Sequence, residues 1–358
     1  MSGLHFHTLT VREVRADGDD AVIVGFDVPL ALRETFLFEP GQYLTLRRAD
    51  DNQRRSYSIC AGAGESLRVG VRRVPGGSFS PWVHEALTPG MPIEVMPPQG
   101  RFGAALSKTA AAAPHGRHVL GIAGGSGITP ILSIMKSALA AELASRFTLL
   151  YGNRHARSTM FREEIDDLKN RYLTRLAIYQ VFSREQVDLP LNAGRLDRDK
   201  LATMLRLAGP VDDAFVCGPH AFNDEAEAAL LAAGLPPTAI HVERFGVPPA
   251  LTEAMPHAGK AGDVGTACIA IVRDGVTREV PFGVDDDSVL AAATRAGLDV
   301  PWSCRSGVCA TCRARVLEGQ VRMDRNFALD AADLAAGFVL TCQAQPLTER
   351  VVVSFDER

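Results

Sequence analysis

Four cysteines carry the clearest chemistry in the chain. Cys304, Cys309 and Cys312 crowd one loop in the spacing C-x4-C-x2-C, and Cys342 follows at a distance. That is ligand spacing for a 2Fe–2S cluster. Two ferric ions and two sulfides need four soft anionic ligands. A short loop must wrap one side of the cluster with its backbone N–H groups turned to the sulfurs. Gly307 lets that backbone come close without a Cβ, and Ala310 and Thr311 are small enough not to crowd it. A zinc site would set C-x2-C against a second short pair, whereas here the fourth ligand stands alone. Disulfides fit poorly, because Met1 to His7 lack the charged and apolar regions of a secretory signal. Cys60, Cys217 and Cys268 are isolated, and each reads by default as a small buried residue.

Other strings suit phosphates and flat rings. Arg55-Ser56-Tyr57-Ser58 offers a guanidinium with paired donors for phosphate and an aromatic face for stacking. Gly76-Gly77-Ser78-Phe79-Ser80-Pro81 reads as a glycine turn opening a helix, with Ser80 as N-cap and Pro81 in the first helical position. Gly124-Gly125-Ser126-Gly127-Ile128-Thr129-Pro130 follows a short apolar run and precedes a helical pattern, with Thr129 as cap. Strand, glycine turn and helix in that order make a cradle for nucleotide phosphate.

The elements that must position these strings change character along the chain. Short β-rich runs at Leu9–Arg15, Ala21–Val28, Tyr43–Arg47 and Leu67–Val74 predict an antiparallel barrel. An alanine-rich passage at Leu106–Gly116 leads into a second domain. From His118 strands and helices alternate, which predicts a doubly wound α/β sheet. The strands fall at Val119–Ala123, Phe147–Tyr151, Leu176–Val181, Ala214–Val216 and His241–Phe245. Helices lie between them at Ile131–Leu139, Phe161–Lys169, Arg198–Leu207 and Phe222–Ala233. Ligands of such sheets lie at the carboxyl ends of the strands. Asn153 and Arg154, Ser183-Arg184-Glu185-Gln186, and Cys217-Gly218-Pro219 all sit there. Residues 246–265, with Pro248, Pro249 and Pro256 among glycines, read as a linker. A hairpin about Asp274-Gly275 and a helix at Val289–Ala296, capped by Ser288, then lead to the cysteine loop. Asp285 to Asp287 read as a solvated helix start.

Taken together, these strings resemble the ferredoxin–NADP reductase superfamily, followed by a ferredoxin domain of the plant type. The resemblance implies a multidomain fold: an antiparallel β-barrel flavin domain at 1–110, a doubly wound α/β nucleotide domain at 115–245, the linker, and an α+β ferredoxin domain of β-grasp type at 266–358. It implies FAD held by Arg55, Tyr57, Ser58, Gly77 and Ser80. It implies NADPH held by Gly124, Gly125, Gly127, Thr129, Asn153, Arg154, Ser183, Arg184, Gly218 and Pro219. The resemblance also implies that Cys217 lies beside the nicotinamide and that Tyr57, Ser58 and Cys217 form the catalytic group. Cys304, Cys309, Cys312 and Cys342 hold the cluster. An arginine in the S-R-E-Q string favours the 2′-phosphate of NADPH, where an acidic residue would favour NAD.

Three redox groups on one chain imply a relay. A hydride donor gives two electrons and the cluster takes one at a time, so the flavin must stand between them. The domain order resembles reductases that feed bacterial oxygenases. The chain has no pair of E-x-x-H motifs and no second Cys/His set of its own, so electrons must leave it, and the family resemblance implies that they pass to a separate di-iron oxygenase acting on phenylacetyl-CoA. An NADH-dependent reductase of a Rieske or another aromatic or steroid oxygenase is the alternative, and an iron–sulfur redox sensor is the non-enzymatic one. With a net charge of −4 and no long basic run, nucleic-acid binding has no electrostatic support. No apolar stretch of about 20 residues exists to span a membrane, and the expected compartment is the cytoplasm.

Overall fold

The structure is a computed structural model that describes residues 4–106, 116–248 and 262–357. Most of the expected alanine-rich passage and of the expected linker lies outside the described residues. The chain forms two compact units. One comprises His7–Gln53 and Tyr57–Phe245. The other holds the described residues of 246–358 with the short segments 4–6 and 54–56.

The N-terminal part of the chain forms six antiparallel strands: β1 His7–Asp17, β2 Ala21–Asp27, β3 Tyr43–Arg47, β4 Arg54–Ser58, β5 Arg68–Arg72 and β6 Pro92–Val95. Their order is β4-β3-β6-β1-β2-β5. The two outer strands meet through a bridge between Ile59 and Val69 and a hydrogen bond from Cys60 N to Arg68 O at 3.1 Å. The sheet thus curls back on itself as a barrel, which removes open edges. Its interior is filled by aliphatic side chains such as Leu9, Val24, Leu44, Leu46 and Val69, with Phe26 and Phe79. Helix α1 (Phe79–Glu85) closes one end.

A five-stranded parallel sheet follows, built from β7 His118–Gly124, β8 Arg146–Asn153, β9 Leu176–Phe182, β10 Asp213–Gly218 and β11 Ile240–Arg244. Its order is β11-β10-β7-β8-β9. The winding reverses between β7 and β10, and that reversal is where doubly wound sheets bind ligands. Helices α2 (Ile128–Ala141), α3 (Arg162–Arg171), α4 (Arg198–Ala208) and α5 (His220–Ala232) connect the strands.

Helix α2 is buried almost all round, as a helix apolar on every face must be. Fully burying a side chain such as Ile131, Leu132 or Met135 stabilises by about 1.5–3 kcal/mol. Two serines on α2 face the barrel. Ser133 Oγ donates to Ala61 O at 2.6 Å, and Ser137 Oγ accepts from Ala63 N at 2.9 Å. Beside them Arg68 and Lys136 share Glu164, and Lys136 also pairs with Glu65. The barrel and the parallel sheet are thereby fixed in register.

The second unit carries a five-stranded mixed sheet in the order β13-β12-β18-β14-β16 and a two-stranded sheet β15-β17. The strands are β12 Ala267–Arg273, β13 Val276–Phe282, β14 Arg313–Glu318, β15 Val321–Met323, β16 Phe338–Leu340, β17 Ala344–Pro346 and β18 Arg350–Ser354. Helices α6 (Val289–Arg295) and α7 (Ala331–Ala335) complete it. Asp274 and Gly275, with φ of 53° and 73°, make the tight turn between β12 and β13. Ser288 caps α6 by accepting from Ala291 N at 3.1 Å.

Three local expectations are corrected. Ser80 lies inside α1, and Ser78 stands in the cap position. The Ser80 hydroxyl instead accepts from Val74 N at 3.0 Å and pins the preceding turn. Thr129 also lies inside its helix, because the turn tightens enough for helical geometry to begin at Ile128; its hydroxyl donates to Ser126 O at 3.0 Å. Asp286 is buried rather than solvated, held by Arg295 and by Gly283 N.

Candidate active site

Strand β4 ends at the first candidate site. Side chains alternate along a strand, so Arg55 and Tyr57 share one face. Arg55 is exposed, and its Nη1 donates to Arg54 O at 2.7 Å. Tyr57 is half-buried with its ring 6.0 Å from that of Phe79 on α1. Ser58, buried at the strand end, lies near the carboxyl of Glu243 on β11. Gly76 is open on its Cα side at φ 73°, so the turn before α1 leaves room for a bulky group.

The register of the parallel sheet brings the nucleotide-type residues to one edge. Ala123 on β7 lies beside Cys217 on β10, and Cys217 beside Glu243 on β11. Gly124 lies beside Gly152, and Asn153 beside Phe182. Gly127 is packed so tightly that a Cβ would stand 2.0 Å from Cys217 O. The glycine turn after β7 and the Cys217-Gly218-Pro219 turn after β10 are therefore interlocked at the point where the sheet reverses. Backbone contact of this kind admits no side chain, which fixes Gly127.

Two buried residues here carry side-chain atoms with no hydrogen bond among the described residues. Both side-chain atoms of Asn153 lack a hydrogen bond among the described residues. The Tyr151 hydroxyl beside it gives its proton to Gly125 O at 3.1 Å. Oε2 of Glu243 is likewise buried and unbonded. Leaving such atoms unpaired costs about 1–3 kcal/mol each, so they mark places where a ligand belongs. Burial pushes the Glu243 carboxyl up to about 8, against the opposing pull of the nearby Ser58 hydroxyl. Burial first, then the nearby Glu243 charge, holds the Cys217 thiol well above its ordinary value. The direction of both influences favours the neutral thiol at Cys217.

At the outer edge Ser183 and Arg184 are exposed. Ser183 N donates to Asn153 O at 2.9 Å and Arg184 N to Arg154 O at 3.0 Å, so the two polar segments lie side by side. Glu185 is engaged elsewhere, accepting from Ala156 N at 2.6 Å.

The four cysteines of the second unit also converge. Cys304 lies near Cys309 and Cys342, and Cys342 near Cys312. Those neighbours, Cys309 first and then Cys342, with the N–H groups of Ser306 and Val308, hold Cys304 well below the ordinary thiol range, while Cys309 and Cys342 rise in exchange. Among the described residues no three His, Cys, Asp or Glu side chains surround a single ion point. A chain of sulfurs, Cys309–Cys304–Cys342–Cys312, suits two irons sharing four thiolates. The loop takes positive φ at Arg305 (55°), Gly307 (81°) and Ala310 (55°), turning its N–H groups inward; Ser306 N stands 3.4 Å from Cys304 Sγ. Cys312 and Cys342 are buried, whereas Cys304 and Cys309 are half-exposed. The second pair is the side nearest solvent.

Sequence reading missed three residues. Glu243 lies in the short strand Ile240–Arg244 between Val242 and Arg244, where nothing local in the sequence marks it. Arg72, at the end of β5, grips Asp20 through Nε and donates from Nη2 to Ser158 O at 2.6 Å. Its Nη1 lies 2.7 Å from the position a Cβ on Gly125 would take. Gln343 follows the fourth cysteine, and only the fold shows what it reaches.

Comparison with known proteins agrees with this layout. Residues 122–228 match the family described as an oxidoreductase NAD-binding domain, and residues 271–347 the family described as a 2Fe-2S iron-sulfur cluster binding domain. A 1,2-phenylacetyl-CoA epoxidase component from Escherichia coli K12 is 44% identical over 99% of this chain and 98% of its own length. The ferredoxin reductase component of 3-ketosteroid-9-alpha-monooxygenase from Rhodococcus rhodochrous is 33% identical over 97% and 96%. Among solved structures, phthalate dioxygenase reductase superimposes with a TM-score of 0.59 at 22% identity, covering 98% of both chains, a likeness of fold. No helix among the described residues is long and apolar enough to cross a membrane.

Proposed function

We propose that this chain, which belongs to the family of reductase components of multicomponent oxygenases, carries electrons from NADPH through FAD and a 2Fe–2S cluster to a separate di-iron oxygenase acting on phenylacetyl-CoA. A flavin takes electrons as a pair and releases them singly, which is what joins a hydride donor to a one-electron cluster. The observation that carries the reading is the meeting of Ser58 with Glu243 beside Cys217 at the sheet's reversal point. There a ring held by the barrel and a nicotinamide held by the parallel sheet would face each other.

The proposed roles carry the family resemblance onto the residues of this chain. Arg55 meets the flavin phosphates and Tyr57 lies against its ring, with Gly77 and Ser80 shaping the turn. Gly124, Gly125, Gly127 and Thr129 form the pyrophosphate turn, and Arg72 adds positive charge over it. Asn153 and Arg154, with Ser183 and Arg184, hold the adenosine end, and Cys217, Gly218 and Pro219 bound the nicotinamide. Cys304, Cys309, Cys312 and Cys342 ligate the cluster, and electrons leave near Arg305 to Val308. The three-domain division at about residues 110 and 265 belongs to the same reading, as does a cytoplasmic location.

Glu243 gives a pH test. Its carboxyl keeps a proton up to about pH 8 in the native protein and loses it at an ordinary carboxylate pKa when unfolded. Its contribution to stability therefore falls as pH rises across that window. A neutral carboxyl tolerates the negative charge that arrives with a hydride, and an anion opposes it. Single-turnover flavin bleaching by NADPH is expected to slow above about pH 8 in the wild type and to stay flat in Glu243→Gln. An identical alkaline limb in both proteins would assign the limb to another group.

Reconstitution tests the partner. NADPH, this protein and the oxygenase subunits are expected to consume oxygen only when phenylacetyl-CoA is present. Full turnover without this chain, or electron delivery only to a Rieske oxygenase, would refute the partner while leaving the reductase reading in place.

A further inference from the structure

Gln343 lies next to the fourth cysteine and is 3% exposed. Its side-chain Nε2 has two protons and three acceptors in reach: one proton goes to Arg305 O at 3.0 Å and the other is shared between Cys342 O at 2.9 Å and Cys342 Sγ at 3.6 Å. The last distance is within reach of a hydrogen bond, since sulfur is a larger acceptor than oxygen. One buried amide thus touches both halves of the sulfur constellation: the loop that carries Cys304 and the segment that carries Cys342. The fit is close on the loop side as well, because a Cβ on Gly307 would stand 3.3 Å from Gln343 Cγ. Arg305 holds φ at 55°, a conformation a bulky side chain adopts only where its surroundings enforce it. The bond from Gln343 to its carbonyl is one such constraint.

We infer that Gln343 is a positioning residue of the cluster, one that raises its reduction potential by donating to the Cys342 sulfur and holds the Arg305 turn in place. This rests on the reading of Cys342 as a ligand. An electron added to a cluster increases the negative charge on its sulfurs. An N–H dipole aimed at one of them stabilises the reduced form more than the oxidised form. Burial strengthens the effect, because no water competes for the same sulfur. A residue that only filled space would be replaceable by leucine, which has nearly the same volume, with no change in potential.

The experiment is an EPR-monitored redox titration of the full holoprotein carrying Gln343→Leu. The reduction equilibrium is expected to move roughly tenfold toward the oxidised cluster, which is about 59 mV more negative for one electron. Flavin bleaching by NADPH should be unchanged. A Gln343→Leu cluster that titrates with the wild type overturns the proposal. Should the variant fail to assemble a cluster, wild-type protein labelled with 15N in its glutamine side chains decides. Pulsed EPR of the reduced cluster is expected to show a coupled 15N, and its absence overturns the proposal equally. The ligand assignment fails separately, through a Cys342→Ser protein that keeps its cluster.

Discussion

Cys342→Ser is expected to purify yellow instead of brown. Iron and acid-labile sulfide should be lost and flavin retained. NADPH should still bleach the flavin at the wild-type rate, because Ser58, Glu243 and Cys217 stand in a unit separate from the cysteine loop. Delivery of electrons to the oxygenase should disappear entirely. The loss is severe because Cys342 is the one ligand supplied from outside the loop, and no other cysteine lies near it in sequence to replace it. Cys304→Ser, Cys309→Ser and Cys312→Ser should behave alike. Metal-binding energy is also folding energy, so the unit bearing β12 to β18 should melt at a lower temperature in each variant, whereas the barrel and parallel sheet keep theirs. A Cys342→Ser protein with its cluster intact would show that the fourth ligand lies elsewhere.

The parts of the molecule that are readable in the sequence are those where chemistry or backbone geometry restricts the residue. Cysteine spacing is restricted by the metal. Gly127 is restricted by Cys217 O, and Asp274-Gly275 by a two-residue turn with positive φ. The strand at Tyr43–Arg47 is legible to the residue, because aromatic and β-branched residues sit between breakers on both sides. Helix starts are less legible. Ser80 and Thr129 have the right chemistry to cap, yet each lies inside its helix and bonds to the preceding turn. The capping preference is local, and here a tight approach between turns outweighs it. Asp286 misleads for a similar reason: a run of three aspartates looks solvated until Arg295, at the end of the helix that follows, folds back on it. Glu243, Arg72 and Gln343 are legible only in three dimensions, since their partners Ser58, Gly125 and Arg305 are distant in the chain.

Arg184→Ala is expected to weaken NADPH about tenfold and to leave NADH nearly unaffected. The two nucleotides differ only in the 2′-phosphate, so a residue that meets that group must discriminate between them. A hydrogen bond to a charged group contributes about 1.5–3 kcal/mol. Arg184 is exposed, which places it at the lower end, and about 1.4 kcal/mol is one decade in affinity. The adjacent Glu185 does not cancel the effect, because its carboxylate accepts from Ala156 N at 2.6 Å and is turned into its own loop. Exposure also predicts a salt dependence. Raising ionic strength should narrow the preference for NADPH in the wild type, by screening the ion pair, and should have little effect on the variant. Arg72→Ala supplies the contrast. Its guanidinium lies over Gly125, at the pyrophosphate that both nucleotides share, so it should weaken NADPH and NADH alike. Equal losses for both nucleotides in Arg184→Ala would move that side chain off the 2′-phosphate and leave the cofactor preference to Ser183 and Arg154.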